Sequence, residues 1–285
     1  MLRMKLIKLI RYDIKNGFAQ SKWRLFSIVI VVFISCIDFY IRKSNIFYFE
    51  EAVPPGTFGD YICYLFGGIP EYHPGLDEEL VFPVKWFLFH SLLLYGTLHY
   101  SVRDLYSLGI VILPRCGQRS FWWFSKCIWN ILYILSAYIL TFAAIFLFCF
   151  IVGESLELPV TAEFMNTLME ADSPFTEFPI QFSVVNLTVP CLFSIGNSLL
   201  LLFLTLFLKP VLSYGAMLIF LLCGAYFNVP ALWGSLTMTL RSEWVMQGGY
   251  TLVAALAIAG IVALGTLVIG FIKFQKYDIL NLDSE

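Results

Sequence analysis

Hydrophobic residues gather along this chain into six long runs, separated by polar connections and showing no alternation of apolar and polar positions. Residues 25–41, 81–100, 127–152, 180–208, 211–229 and 250–272 are each close to the roughly 20 residues that cross a bilayer as a helix. Uniform apolarity over that length predicts helices rather than the strands of a barrel. The last four runs hold no charged residue, whereas 25–41 carries Asp38 and 81–100 carries Lys85, His90 and His99. Ahead of the first run, Leu2, Leu6, Ile10, Ile14 and Phe18 recur every four residues, with Lys5, Lys8, Lys15 and Lys22 on the other side. That pattern predicts an amphipathic elbow helix over 1–24, lying in the headgroup region before the chain turns into the first span. The expected fold class is an all-α integral membrane protein with six transmembrane helices in a single domain, 1–285.

Composition narrows the function classes. Of 285 residues, 59% are hydrophobic and 13% charged, about half the charged share of an ordinary soluble domain. Most soluble enzymes, disordered tails and disulfide-stapled secreted domains are thereby excluded. The net charge of −2 conceals a polarised molecule. Fourteen of the 18 basic residues lie in the N-terminal tail, in 101–126, at Lys209 and after the last run. Fourteen of the 20 acids lie in the intervening connections, mostly in 42–80 and 153–179. One side carries +9 and the other −10, with Asp38 inside a run. The positive-inside rule makes the basic side cytoplasmic, with both termini on it. Arg42 and Lys43 fall on the wrong side for this rule. No cleaved signal peptide is expected, because the basic region exceeds 20 residues and no small-x-small site directly follows the first run.

Candidate chemistry is sparse. Five of the seven cysteines lie within or at the edges of runs, Cys116 is on the basic side, and Cys63 is alone on the acidic side, so no disulfide is expected in the outer loops. His90 and His99 are nine residues apart and point to opposite helix faces, which argues against a shared metal. His99 reads as a marker of the cytoplasmic interface. There is no H-E-x-x-H, no G-x-S-x-G and no pair of intramembrane carboxylates, so the chain is not expected to be an enzyme. Without a G-x-x-x-x-G-K-[ST] loop it has no such cradle for ATP phosphates. Asp38 lies within about a turn of the outer end of its span and reads as a snorkelling residue rather than a proton relay.

Two stretches are more informative. In the fourth run Ser183, Asn186, Pro190, Ser194 and Asn197 fall in one stripe about 80° wide at 100° per residue. Lipid cannot satisfy such side chains, so the stripe predicts either helix–helix glue or a substrate path or subunit seam, with a kink at Pro190. In the sixth run Ala255, Ala259 and Ala263, with Gly260 and Gly265 nearby, predict close helix packing. The connection 101–126 is more than a linker. Leu105, Leu108 and Ile112 share a helical face, Pro114-Arg115-Cys116-Gly117 breaks the helix, and Ser120 is a candidate N-cap. Trp122 and Trp123 read as an interfacial belt at membrane re-entry.

The basic stretch Arg11-Tyr12-Asp13-Ile14-Lys15-Asn16-Gly17-Phe18 and the run from Tyr100 through Ile112-Leu113-Pro114-Arg115 to Arg119, Trp122-Trp123 and Ser125-Lys126 form a pattern. The Leu208-Lys209-Pro210-Val211 turn and the ending Phe274-Gln275-Lys276-Tyr277-Asp278-Ile279-Leu280 complete it. In order and topology it resembles the membrane-spanning permease subunit of bacterial ABC transporters of the exporter type, with six spans and a separate ATPase. The resemblance implies a plasma-membrane permease paired with a second, identical or related, permease and with two cytoplasmic ABC ATP-binding subunits. ATP and magnesium would be held by those subunits and no cofactor by this chain. The elbow and the 101–126 coupling segment would meet the ATPases, with Arg103, Asp104, Leu105, Arg115 and Arg119 as coupling residues. Ser183, Asn186, Pro190, Ser194 and Asn197 would line the path or seam. Membrane lipids are expected neighbours and nucleic acid is not. The long 42–80 loop departs from the family, and its apolar patch Tyr61–Ile69 suggests an interfacial hairpin. An antimicrobial peptide, a hydrophobic drug or a lipid would each suit such a permease as substrate. The alternative is a non-transporting scaffold or sensor subunit that binds a cationic partner through acidic outer loops.

Overall fold

The structure, a computed structural model, describes residues 2–48, 54–70, 81–105, 119–171, 175, 177–227, 229 and 232–276. These form α1 (Leu2–Ile46), α2 (Phe58–Phe66), α3 (Val84–Asp104), α4 (Arg119–Val152), α5 (Ala162–Met169), α6 (Ile180–Leu204), α7 (Pro210–Tyr226) and α8 (Leu252–Gln275). Two 3-10 turns, Trp233–Thr237 and Thr239–Arg241, precede α8. Among the described residues there is no strand, only two isolated bridges. Four helices are long and apolar enough to cross a membrane: Leu6–Ile46, Arg119–Val152, Ile180–Leu204 and Leu252–Gln275. Of the other two expected spans, α3 has sufficient length but carries Lys85, His90, Arg103 and Asp104, and α7 is apolar but has 17 residues.

The N-terminal elbow is corrected by the structure. No turn separates 1–24 from the first span, and residues 2–46 run as one helix of 45 residues, about 67 Å long at 1.5 Å per residue. Its sequence has one glycine and no proline to interrupt it. The four-residue apolar repeat is not the face that packs against the protein. Ile10, Ile14 and Phe18 are only half-buried, while Leu9, Asp13, Gly17 and Ser21 are buried. The cause is local: Asp13 is drawn to a buried lysine of α4, and Gly17 lets Trp129 of α4 approach the helix backbone. The buried stripe continues through Ile28, Val32, Cys36 and Phe39 to Lys43, so α1 packs along α4 over most of its length.

The acidic end is closed by segments that the hydropathy pattern leaves as loops. The Tyr61–Ile69 patch is no interfacial hairpin. It lies largely in α2, of which every residue from Gly59 to Phe66 is buried. Thr57 and Asp60 cap α2 reciprocally, and Asp60 also accepts from Thr161 N (2.7 Å) and Thr161 Oγ1 (2.9 Å), tying α2 to the start of α5. Burial pushes the Asp60 carboxyl above the usual carboxylate range, and these donors partly offset that rise. Phe66 stacks on Tyr138 of α4 (5.8 Å) and meets Phe89 of α3 (5.2 Å) edge-on. The turns at 233–241 fold back against α7, bringing Gly234 within backbone contact of Leu221 and Gly224. Gly234, Thr237, Met238 and Leu240 are buried here, so protein surrounds this irregular backbone. Trp86 Nε1 of α3 donates to Thr237 Oγ1 at 2.8 Å.

The four basic residues of this end all have protein partners, which explains the outliers in the charge pattern. Lys43 is buried against Glu154, whose carboxylate also accepts from Gly56 N. Arg42 and Lys85 both meet Asp38. Arg241 donates to the carbonyls of Pro70 and Ala225, each at 2.9 Å. At the other face of the bundle, Ala255 and Ala259 of α8 pack on Val185, Val189 and Phe193 of α6. Gly260 and Gly265 take no part in that contact, since nothing lies near the space a side chain there would fill.

Candidate functional site

The basic end holds a cluster of buried charge that composition does not reveal. Lys126, eight residues into α4, is fully buried. Its Nζ lies 2.6 Å from Asp13 Oδ1 of α1 and 2.7 Å from Asp104 Oδ2 at the end of α3. Two carboxylates thus share one ammonium, and neutral donors supply the remaining hydrogen bonds. Tyr100 OH donates to Asp13 Oδ1 at 2.8 Å and Ser125 Oγ donates to Asp13 Oδ2. Trp122 Nε1 donates to Asp104 Oδ2 at 3.2 Å. The ammonium also lies 4.6 Å from the Tyr100 ring centroid and 5.4 Å from that of Trp122. Taking ions out of water is tolerated only when geometry and extra hydrogen bonds are this complete.

The cluster locks four helices together. Trp122 stacks on Phe274 of α8 at 4.9 Å, so the last helix joins the same block. One turn deeper, Trp129 lies between Tyr100 (4.5 Å) and Tyr133 (5.3 Å). Asn130 accepts from Ser101 Oγ and donates to the Ser198 carbonyl of α6. Along α1, Asp13 and Lys43 are 30 residues apart, about 45 Å of helix. A hydrocarbon core of about 30 Å would fit in the helix between the two buried ion clusters.

The five coupling candidates separate in space. Asp104 and Leu105 are buried, Asp104 as a member of the cluster and Leu105 among Trp122, Trp123, Leu202 and Phe274. Arg103 and Arg119 are exposed at the ends of α3 and α4. Arg115 lies outside the described residues, as do Leu108, Ile112 and the Pro114–Gly117 break. Trp122 and Trp123 do not form a lipid-facing belt. Both are buried in protein, because their indole N–H groups find acceptors in Asp104 and the Leu267 carbonyl. Sequence reasoning missed Asp13 and Lys126. The available signal was Asp13 as the only acid among the seven basic residues of 1–24.

The polar stripe of α6 faces inward, and α6 runs unbroken through Pro190. Ser183, Asn186, Pro190, Ser194 and Asn197 are all buried. Asn186 Nδ2 donates to Cys63 Sγ of α2 at 3.2 Å, Ser194 Oγ bonds Tyr138 OH of α4 at 2.9 Å, and Trp233 Nε1 donates to Asn197 Oδ1 at 2.8 Å. Ser183 Oγ and Asn197 Nδ2 have no partner among the described residues. Each paired position thus receives a different element of the same chain. Trp233→Phe should lower stability by about 1–3 kcal/mol, since it strands the Asn197 carbonyl in a buried site; thermal unfolding in detergent measures this.

No group of three or more histidine, cysteine, aspartate or glutamate side chains among the described residues is placed to hold a metal ion. Comparison with protein-family models, curated proteins and solved structures finds no match to this chain.

Proposed function

We propose that this all-helical chain is a six-span membrane permease subunit, with α3 and α7 completing the spans and both termini cytoplasmic. It would be driven by a separate ATP-binding subunit that docks on 101–119. One observation carries the reading: the Asp13–Lys126–Asp104 cluster clamps together the helix ends on both sides of 105–118. A push on that segment would reach α1, α3 and α4 as a block instead of dissipating in a loop. Beside the block lies an open depression of about 420 Å³ lined by Arg119, Ser120, Phe271 and Gln275, a candidate seat for a partner. Asp104 and Leu105 then hold the base of the segment, and Arg103, Arg115 and Arg119 remain as the docking residues.

Pull-down of the tagged chain from native membranes is expected to recover an ATPase. Arg103→Glu with Arg115→Glu should cut ATP hydrolysis by that complex at least about tenfold, since like-charge juxtaposition costs several kcal/mol. Insertion into the membrane should be unchanged. Unaltered hydrolysis, or repeated recovery of no ATPase, rejects the assignment. A second reading, a non-transporting scaffold or sensor subunit, is favoured by the closed acidic end. There α2 and the 233–241 turns fill the face of the α6 stripe that a path would need. Under that reading the charge reversals have no effect on any ATPase.

A further inference from the structure

A cavity of about 390 Å³ opens at the acidic end between α1, α2 and α3. Asp38, Arg42, Tyr64 and Lys85 line its polar side, and Leu65, Ile69, Phe82 and Trp86 its apolar side. Asp38 has three donors: Arg42 Nε donates to Oδ1 at 3.0 Å, while Tyr64 OH and Lys85 Nζ (3.5 Å) donate to Oδ2. Among the described lining residues two cations face this one carboxylate, a surplus of one positive charge. Lys85 is poorly satisfied for a group only 35% exposed. Its contact with Asp38 is long, and its ammonium otherwise rests 3.2 Å over the Tyr64 ring, so N–H donors remain for the cavity. Arg42, 60% exposed, stands at the opening. Among the described residues the rest of the rim is apolar, with Val81, Phe82 and Val84 exposed.

Depth decides between a free anion and an amphiphile. Asp38 lies five residues from Lys43 along α1, about 7 Å toward the middle of the helix, so the cavity straddles the border between headgroups and hydrocarbon. We infer that it binds the phosphate of an anionic lipid in the acidic-side leaflet, with Arg42 and Lys85 as donors and the acyl chains leaving past Val81 and Val84. A cationic ligand is disfavoured by the surplus charge, and bare phosphate leaves the apolar rim uncovered. This binding requires no partner ATPase and holds under either reading above.

The test is native mass spectrometry of the full chain in neutral detergent, titrated with phosphatidylglycerol, phosphatidylcholine or inorganic phosphate. Phosphatidylglycerol should bind about tenfold more tightly than phosphatidylcholine, and Arg42→Gln with Lys85→Gln should abolish that preference. Asp38→Asn, which enlarges the surplus charge, should tighten phosphatidylglycerol about threefold. Arg42→Gln alone, at an exposed side chain, should weaken it about threefold and keeps the test open if the double variant fails to fold. Equal retention of the two lipids, an unchanged folded double variant, weaker binding by Asp38→Asn, or displacement of phosphatidylglycerol by millimolar phosphate would each overturn the inference.

Discussion

Replacing Lys126 with methionine should cost about 3–5 kcal/mol of stability, because it leaves Asp13 and Asp104 facing each other in a buried site without their shared cation. Methionine fills a similar volume, so little of the loss would come from a cavity. Asp104→Asn should cost less than about 1 kcal/mol, although the side chain is nearly as buried. It removes the surplus negative charge, leaves the Lys126–Asp13 pair at 2.6 Å, and keeps an oxygen that accepts from Trp122 Nε1. The triple variant Asp13→Asn, Asp104→Asn, Lys126→Met should recover most of the single-variant loss, since a neutral replacement carries no desolvation cost. Thermal unfolding and limited proteolysis in detergent measure all three. An Asp104→Asn loss as large as that of Lys126→Met would show that the two carboxylates are not competing for one cation.

The second large effect is expected at Gly17. A Cβ there would lie 1.8 Å from Trp129 Nε1 and 2.4 and 2.7 Å from the next indole atoms. Trp129 is fully buried between Tyr100 and Tyr133 and has nowhere to swing. Gly17→Ala would gain up to about 1 kcal/mol in an isolated helix, yet overpacking of about 1–3 kcal/mol should outweigh it. Gly17→Val should be worse, forcing α1 away from α4. Trp129 Nε1 has no hydrogen-bond partner among the described residues, so Trp129→Leu loses packing alone. Combined with Gly17→Ala it should show a coupling of about 1–3 kcal/mol in a double-mutant cycle. Additive losses would mean that the two helices do not meet at this point.

How much was legible in the sequence differs from element to element. The cores of α4, α6 and α8 follow from apolar runs without charge, which have one low-energy solution in lipid. The inward face of α6 was equally legible, because five small or polar positions at helical spacing leave no other side to bury. The N-terminal face of α1 was not. Its four-residue apolar repeat is real, but an aspartate and a glycine, both weak signals in any hydropathy pattern, outcompete it by pairing with Lys126 and admitting Trp129. The Tyr61–Ile69 patch was visible as apolar, yet period and length say nothing about whether a nine-residue helix lies on a membrane or inside a bundle.

Of the candidate site, Asp104 was in view for a role in docking and Lys126 only as one more basic residue near a span. Their actual relation is three-way, between positions 13, 104 and 126. The sequence by itself determined the class of molecule and the charge asymmetry of its two ends. Hydropathy and net charge add residue by residue along the chain, so a linear pattern can carry them. Only the tertiary structure decided which charges are buried together, which loops descend into the bundle and where a charged cavity is left open. Those depend on distances between residues far apart in the chain, and in a low-dielectric interior a few ångströms separate a tolerated ion cluster from a destabilising one.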